Sequence, residues 1–512
     1  MRAAIVLLVG LAFIGGCFAK YCMPEQNCWP SSDRLAQFKG TLKGKLVLPT
    51  DAFFVNATKG VIYNERYTTN PGMIVYANSP KDVQNSILLA NEFNIRVSIV
   101  TSGHDFIGRN TAKGSLQINM SQMQYLNVDL ADNSSDTGMS ATTEVGNLWG
   151  KIYAEVAGKY NKLIVGGSSE TVSPAGYTMG GGHSPLSRKL GLAVDNVLEI
   201  DAVTANGDIV HLTPSGTTSV NADGVVSLTA DTDLFWALRG GGGSTFAVVT
   251  RFKYKVHEPP SDGFVQFSCA MYYANETHVH AYDIYNALND FLVSLPPEFG
   301  GYVISTAPAQ ANPTYNTSAS PGMIMVAFEI WGGLEKAKPY LQKVMDFHPE
   351  WHIKWPGTCQ PNVYKKWWDY RQNIHDRGGF GRTYLWDSLL QVDSFNDNFT
   401  RVMTEGMGTA YLNKLVPTCT GTLIGGKVTE FPADSSSVGP GLRNGLMALS
   451  CGVSWPNSLS YLDNIIISLL QKWNQELVKL GQGVYYNEPS SVLANWKVDY
   501  WGDKYPSVDK EF

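Results

Sequence analysis

From residue 73 onward, apolar and polar positions fall into blocks that read as strands and helices. Met73 to Tyr76 is an apolar run of strand length, and Ser79-Pro80-Lys81-Asp82 has the chemistry of a helix start. Ser79 can cap, Pro80 suits the first helical turn, and Asp82 stands where the acid of a capping box belongs. Val83, Ile87 and Ala90 then recur on one helical face, and Val97 to Val100 reads as a buried strand. The order strand, helix, strand places the next loop, Thr101 to Gly108, beyond a strand's carboxyl end, where α/β sheets present ligand-binding loops. Far downstream, Leu462, Ile465, Ile466, Leu469, Trp473, Leu477 and Leu480 mark one stripe of a long amphipathic helix that stops at Gly481.

Two further glycine-rich stretches interrupt this pattern. One spans Gly166 to Gly182, and the other, Arg239-Gly240-Gly241-Gly242-Gly243-Ser244-Thr245-Phe246, precedes the apolar strand Ala247 to Thr250, which contains Val248. None is a Walker loop or the strand, GxGxxG, helix unit of a Rossmann domain. Glycine lets backbone N–H groups approach a bulky anionic ligand such as a pyrophosphate, because no side chain holds the backbone away. After Pro259-Pro260 the texture shifts to longer loops and many aromatics, which predicts a second domain.

Composition sharpens this picture. A chain of 512 residues fits two domains, or one domain carrying a large insertion, and a net charge of -6 leaves no basic stripe with which to follow nucleic-acid phosphates. Arg2, the apolar run Ala3 to Gly15, and the small residues Cys17 and Ala19 read as a secretory signal over residues 1–19, too short to span a bilayer. No other stretch suggests a membrane anchor, so a secreted protein is expected. Removing the signal leaves Cys22, Cys28, Cys269, Cys359, Cys419 and Cys451, an even number suited to disulfides. Cys22 and Cys28 can bridge locally, the spacing leaves the other pairings open, and the intervals are not those of a zinc site. Sequons at Asn56, Asn119, Asn133, Asn275, Asn316 and Asn398 add an expectation of N-glycans, with Asn119 more in keeping with a strand residue that is never modified.

The order of the glycine clusters carries more. Thr101-Ser102-Gly103-His104-Asp105-Phe106-Ile107-Gly108-Arg109-Asn110-Thr111 resembles the flavin-attachment loop of berberine-bridge-like FAD-linked oxidases in the vanillyl alcohol oxidase superfamily. Ala175-Gly176-Tyr177-Thr178-Met179-Gly180-Gly181-Gly182-His183-Ser184-Pro185-Leu186 resembles the middle cluster of that family, Asp233 to Arg239 with the glycines after it a third, and Tyr485-Tyr486-Asn487-Glu488 with Trp501 to Pro506 its C-terminal signature. The matches run in family order from Cys28-Trp29-Pro30-Ser31 nearly to the C-terminus.

The resemblance implies an α+β fold: a two-subdomain PCMH-type FAD-binding domain over 69–259 after an N-terminal segment 20–68, a substrate domain over 260–470 with an antiparallel sheet backed by helices, and a segment 471–512 that returns to the flavin. It implies FAD held covalently through His104, with Ser102, Gly103, Asp105, Gly108, Ser169, Gly176, Gly181, Gly182, Val248 and Asn487 around the cofactor. Many relatives form a second bond from a cysteine just before the Thr-Val of the middle cluster. Here Ser169 stands at that place and no cysteine occurs between Cys28 and Cys269, so a single covalent bond is expected.

Glu488, ahead of Tyr485, is the candidate base, since loss of a hydride from an alcohol or amine carbon is easier when the heteroatom's proton is taken away. The expected activity is oxidation of a small alcohol, amine or sugar with molecular oxygen as acceptor. An oxidative cyclase and a secreted non-catalytic binding protein on the same fold are the alternatives. His183 is expected in the cofactor loop, Arg443 near a strand that could face the pocket, and Trp351, Trp355, Trp367, Trp368 and Tyr370 in packing or in substrate stacking.

Overall fold

The computed structural model describes residues 21–59, 62–243, 245–273, 279–311, 318–353, 356–375 and 381–510. Residues 1–19, read as a secretory signal, the sequons at Asn275 and Asn316, Ser244 and Trp355 lie outside them.

The first sheet comprises Lys45–Val47 (β1), Met73–Tyr76 (β2), Val97–Val100 (β3) and Leu116–Asn119 (β4), in the order β1-β2-β4-β3. The pairs β2/β4 and β3/β4 are parallel, so the connection from β2 to β3 crosses over through the helix Pro80–Glu92. Ser79 caps that helix by accepting the Asp82 N–H. The Asp82 carboxylate does not close a capping box, however. It turns outward to accept the N–H groups of Lys43, Gly44 and Asn78, tying the first strand's approach to the helix start. Asn119 is a buried strand residue whose side chain accepts the Ser121 N–H, while Asn56, Asn133 and Asn398 are exposed.

The second sheet is antiparallel and comprises Leu126–Asp129 (β5), Ser140–Glu144 (β6), Val197–Thr204 (β7), Ile209–Thr213 (β8), Gly216–Val220 (β9), Val226–Thr229 (β10) and Ala247–Lys255 (β11), in the order β10-β9-β8-β7-β11-β6-β5. One apolar core serves both sheets, with Trp149, Phe252 and Tyr254 fully buried in it.

The third sheet is antiparallel and has its own core. It comprises Phe264–Tyr273 (β12), Phe299–Thr306 (β13), Gly322–Trp331 (β14), Gln360–Tyr364 (β15), Arg382–Leu390 (β16), Thr418–Leu423 (β17) and Met447–Trp455 (β18), in the order β15-β12-β14-β13-β17-β18-β16. Helices Val279–Ser294, Leu334–Asp346, Asp397–Leu412 and Asp463–Val478 contribute their apolar faces to this core. The α+β architecture expected from the sequence is the one observed.

In the helix Asp463–Val478 the buried face is Ile466, Ile467, Leu470, Trp473 and Leu477. Ile465 and Leu469, expected inside, are 54% and 36% exposed. Trp473 packs against Gly406 of the neighbouring helix and against Trp386, and that contact sets the helix rotation.

Three disulfides join Cys22 to Cys28, Cys269 to Cys359 and Cys419 to Cys451. The last pair are register partners on β17 and β18. Among the described residues no helix is long and apolar enough to cross a membrane.

Candidate active site

A cavity of about 880 Å³ lies where the glycine loops of the first unit meet the third sheet. The loop after β3 supplies one wall. Gly103 adopts φ +83°, a left-handed conformation that costs a glycine little, and the turn brings His104 to the cavity. His104 Nε2 lies 2.9 Å from Thr171 Oγ1, and the ring packs at 4.5 Å on Tyr63, so its plane is fixed from two sides. Asp105 organises the loop: Oδ1 accepts the N–H groups of Ile107 and Arg109, and Oδ2 pairs with Arg109 Nε at 2.8 Å. Ser102 Oγ accepts the Ser173 N–H, joining this loop to the middle glycine cluster.

That second cluster supplies the facing wall. Ser173 caps the short helix Pro174–Met179, and a Cβ added at Gly176 on that helix would meet nothing within 4 Å. Ser169 lines the cavity, with Oγ 3.3 Å from Thr171 Oγ1.

The C-terminal segment closes the third side. Arg109 donates from Nη1 to Tyr486 O at 3.1 Å and lies 4.2 Å from the Tyr486 ring centroid, so the attachment loop grips the returning chain. Asn487 donates through Nδ2 to Tyr177 O and Tyr485 Oη, both at 2.9 Å, and its amide lies against Gly180, where a Cβ would find no room. Tyr485 Oη also accepts the Gly182 N–H, and burial holds the phenol well above its ordinary pKa, so it is protonated at neutral pH.

Glu488 opens into the cavity with 30% of its side chain accessible. Its surroundings are protein on every other side, and this burial raises its pKa to about 7 against the opposing hydrogen bond from Ser450. His183 Nε2 is 3.8 Å from Glu488 Oε1, and the imidazole packs on the Tyr485 ring at 4.6 Å. Burial lowers the His183 pKa to about 4, so the ring is neutral and the two do not form an ion pair at working pH.

The expected residues His104, Ser102, Gly103, Asp105, Ser169, Gly176, Tyr485, Asn487 and Glu488 therefore share one cavity. Four others do not line it. Gly108 turns at φ +76° against Tyr67, Gly181 and Gly182 pack against Leu442 and Ala193, and Val248 is a core residue of β11. Their sequence signal reflects close packing behind the wall. Arg443 does not face the pocket either. It is 2% exposed and makes a two-pronged pair with Asp195 at 2.8 and 2.9 Å, which ties the short helix Pro440–Asn444 to the glycine-rich unit.

Of the aromatics, Trp367 lines the cavity and donates to Glu329, Tyr370 also bonds Glu329, Trp351 stacks between His280 and His348, and Trp368 packs on Gly158.

Several residues in and behind the cavity wall carry no clear mark in the sequence. Asp387 on β16 is 1% exposed and accepts the Tyr485 N–H, and burial pushes its carboxyl well above the usual range. An acid within Leu385-Trp386-Asp387-Ser388-Leu389-Leu390 is the signal that could have found it. Tyr302, Glu329 and Arg371 on the third sheet's side lack even that.

The FAD binding domain family matches residues 71–213. Taken with a cavity walled by glycine loops, this defines the chain as an FAD-dependent oxidoreductase. An uncharacterized FAD-linked oxidoreductase of Arthroderma benhamiae is 26% identical over 99% of this chain and 95% of its own length. A VAO-type flavoprotein oxidase of Thermothelomyces thermophilus is 27% identical over 85% of this chain and 72% of its own. Among solved structures, a VAO-type flavoprotein from Myceliophthora thermophila superposes with TM-score 0.76 at 23% identity, covering 96% of this chain and 94% of its own. A berberine bridge enzyme variant gives 0.70 at 17% over 92% and 94%. Glucooligosaccharide oxidase from Acremonium strictum, described as holding a 6-S-cysteinyl, 8α-N1-histidyl FAD, gives 0.68 at 17% over 91% and 93%. The chain is thus homologous to the FAD-linked oxidoreductases and VAO-type flavoproteins and shares the fold of berberine bridge enzyme.

The residues present fit FAD. Gly103, Gly166, Gly167, Gly176 and Gly243 all line the cavity, so backbone rather than side chains faces the ligand over a broad surface. A Cβ at Gly176 would project into that space, and Gly166 and Gly167 are pressed against Trp149, which leaves the cavity wide enough for a large flat group.

Proposed function

We propose that this chain is a secreted oxidase that holds FAD covalently through His104 alone and oxidises a small alcohol, amine or sugar, releasing hydrogen peroxide. The observation that carries the reading is that His104 and the distant C-terminal pair Tyr485 and Glu488 line one glycine-walled cavity. A single covalent bond is supported by the disulfides, because every cysteine from residue 22 onward is spent in one and none is left for the flavin. Three disulfides also favour an oxidising compartment.

When bound, FAD supplies the two-electron acceptor for the hydrogen lost from the substrate carbon. The chain's residues do the rest. Glu488, with a pKa of about 7, takes the hydroxyl or amine proton onto a carboxylate oxygen. The neutral His183 beside it leaves that basicity intact. Tyr485, protonated, fixes Asn487 and the Gly182 backbone, and Asp387 anchors the Tyr485 backbone in turn.

A denaturing gel viewed under ultraviolet light tests the attachment. A fluorescent band in the native protein, lost in His104→Ala, is the expected result, and a dark native band sinks the covalent claim. Anaerobic reduction by substrate followed by an oxygen pulse tests the acceptor: rapid reoxidation with stoichiometric peroxide is expected, and sluggish reoxidation would make the chain a dehydrogenase.

A further inference from the structure

The wall that the third sheet and its loops contribute to the cavity is polar but sparsely charged. Thr418, Thr420 and Thr422 of β17 and Ser450 and Ser454 of β18 line it, all bearing neutral hydroxyls. Against this background Arg371 stands out. It closes the helical turn that begins at Trp367, is 6% exposed, and lines the cavity beside the loop 166–169.

Its hydrogen bonds use two of five N–H groups: Nη1 donates to Ile374 O at 3.0 Å, and Nη2 donates to Ser168 O. The guanidinium lies 5.1 Å from the Tyr153 ring centroid. Both bonded partners are neutral carbonyls, and among the described residues no carboxylate lies within ion-pair distance. Arg109, the other guanidinium lining the cavity, is neutralised by Asp105 at 2.8 Å. Glu329 bears electrostatically on Arg371, but its oxygens already accept from Trp367 Nε1 at 3.1 Å and from Tyr370 at 3.5 Å. Burial also raises the Glu329 pKa, which weakens its claim on the cation.

A buried guanidinium is costly unless an anion meets it. Held rigid by two carbonyls and an aromatic face, it offers its remaining N–H groups in a planar fork that matches a carboxylate.

We infer that Arg371 is a specificity-determining residue, and that the substrate of this enzyme carries a carboxylate that docks on it. The oxidised carbon then belongs to a hydroxy or amino acid, or to an alcohol with an acidic group at its far end, with the hydroxyl-bearing strands receiving its neutral polar groups. This rests on the cavity being the substrate site of a flavin enzyme, as proposed above.

Calorimetric titration of the flavin-loaded protein with benzoate and with its neutral isostere benzamide tests the inference without turnover. Charge-assisted bonding to Arg371 is expected to make benzoate tighter by about tenfold or more. Arg371→Met is expected to erase the preference and Arg371→Lys to keep part of it, since an ammonium retains charge but loses the fork. Equal binding of the two ligands, binding of neither, or a benzoate preference that survives both substitutions would overturn it. Arg371→Lys and the wild-type preference remain decisive if Arg371→Met does not fold. A flavin band on the gel with no benzoate preference would sink this inference alone, whereas a dark band would sink the flavin attachment itself.

Discussion

Replacing Glu488 by Gln keeps the shape of the side chain and an acceptor for the Ser450 hydrogen bond while removing the capacity to accept a proton. A base with a pKa of about 7 is ionised in about a tenth of molecules at pH 6 and about nine tenths at pH 8. The wild-type enzyme should therefore show kcat/KM rising about tenfold per pH unit below 7 and levelling above it. General-base catalysis contributes roughly a hundred- to ten-thousand-fold, so Glu488→Gln should lower kcat by that amount and flatten the rise. KM should move little, because the proton is taken only as the reaction proceeds. Substrate entering the cavity expels water and deepens the desolvation of Glu488, so the limb in kcat should lie at higher pH than the limb in kcat/KM.

Stopped-flow reduction of the flavin at a series of pH values reads the chemical step directly, free of product release. His183→Asn serves as the control: with a pKa near 4 the imidazole is neutral over the whole range, and removing it should leave the limb in place. A Glu488→Gln enzyme within a few-fold of wild type, with the pH limb intact, would refute the assignment. If the limb instead vanished in His183→Asn, the imidazole would be the titrating group and the burial argument would be wrong.

Other expectations follow from individual contacts. Arg443→Met strands the Asp195 carboxylate in a dry interior and should cost about 3 to 5 kcal/mol of unfolding free energy, with Asp195→Asn in the same chain recovering much of it; urea unfolding of the single and double variants measures both. Burial favours the protonated form of Asp387, so the stability it provides is present below the ordinary carboxylate range and is lost as pH rises through and above that range. Asp387→Asn should accordingly gain on wild type as pH rises above the ordinary carboxylate range, and urea midpoints that stay parallel with rising pH would count against it. Opening Cys269–Cys359 by substituting both with Ala frees a long loop and should cost about 4 to 5 kcal/mol, seen as a lowered thermal midpoint. Arg109→Met removes the hydrogen bond and the ring contact to Tyr486, together about 1 to 3 kcal/mol, and should speed proteolysis of the C-terminal segment; an unchanged cleavage rate would mean other contacts hold it.

The parts of the site that are legible in the sequence are those built from local chemistry. Ser79-Pro80 announces a helix start, and the Gly103-His104 turn follows a strand, so both can be placed from their neighbours alone. The glycines are legible as a class but not individually: Gly103 and Gly176 face the cavity, whereas Gly108, Gly181 and Gly182 are glycine because Tyr67, Leu442 and Tyr177 leave no room for a Cβ. Both demands select the same residue, so sequence cannot separate them. Arg443 and Arg371 are beyond reach for another reason. Each is a lone arginine whose partner, Asp195 at 248 residues or the Ser168 carbonyl at 203, is remote in sequence, and only the folded chain decides which one faces the cavity.

Those arginines show how the cavity keeps its shape. Its walls come from two apolar cores and from a returning C-terminal segment, and apolar contact crosses the seam both in the small cluster of Leu192, Val194, Leu389, Val438, Leu442 and Tyr485 and where Phe264 and Trp367 pack into the first core. Apolar contact is non-directional and would allow the units to slide by fractions of an ångström, which is enough to spoil proton transfer. Directional bonds remove that freedom. Arg443 fixes the seam through Asp195, Arg371 fixes the loop 166–169 against the third sheet, and Arg109 fixes Tyr486 against the attachment loop. Glu488 lies two residues beyond Tyr486, and its raised pKa depends on how closely the surrounding protein encloses it. Loosening the Arg109 contact should therefore admit water around the carboxylate and move the pH limb downward even though Arg109 never touches substrate. A limb that stays at the wild-type pH in Arg109→Met would show that the enclosure of Glu488 is set by Asp387 and Ser450 on the third sheet instead.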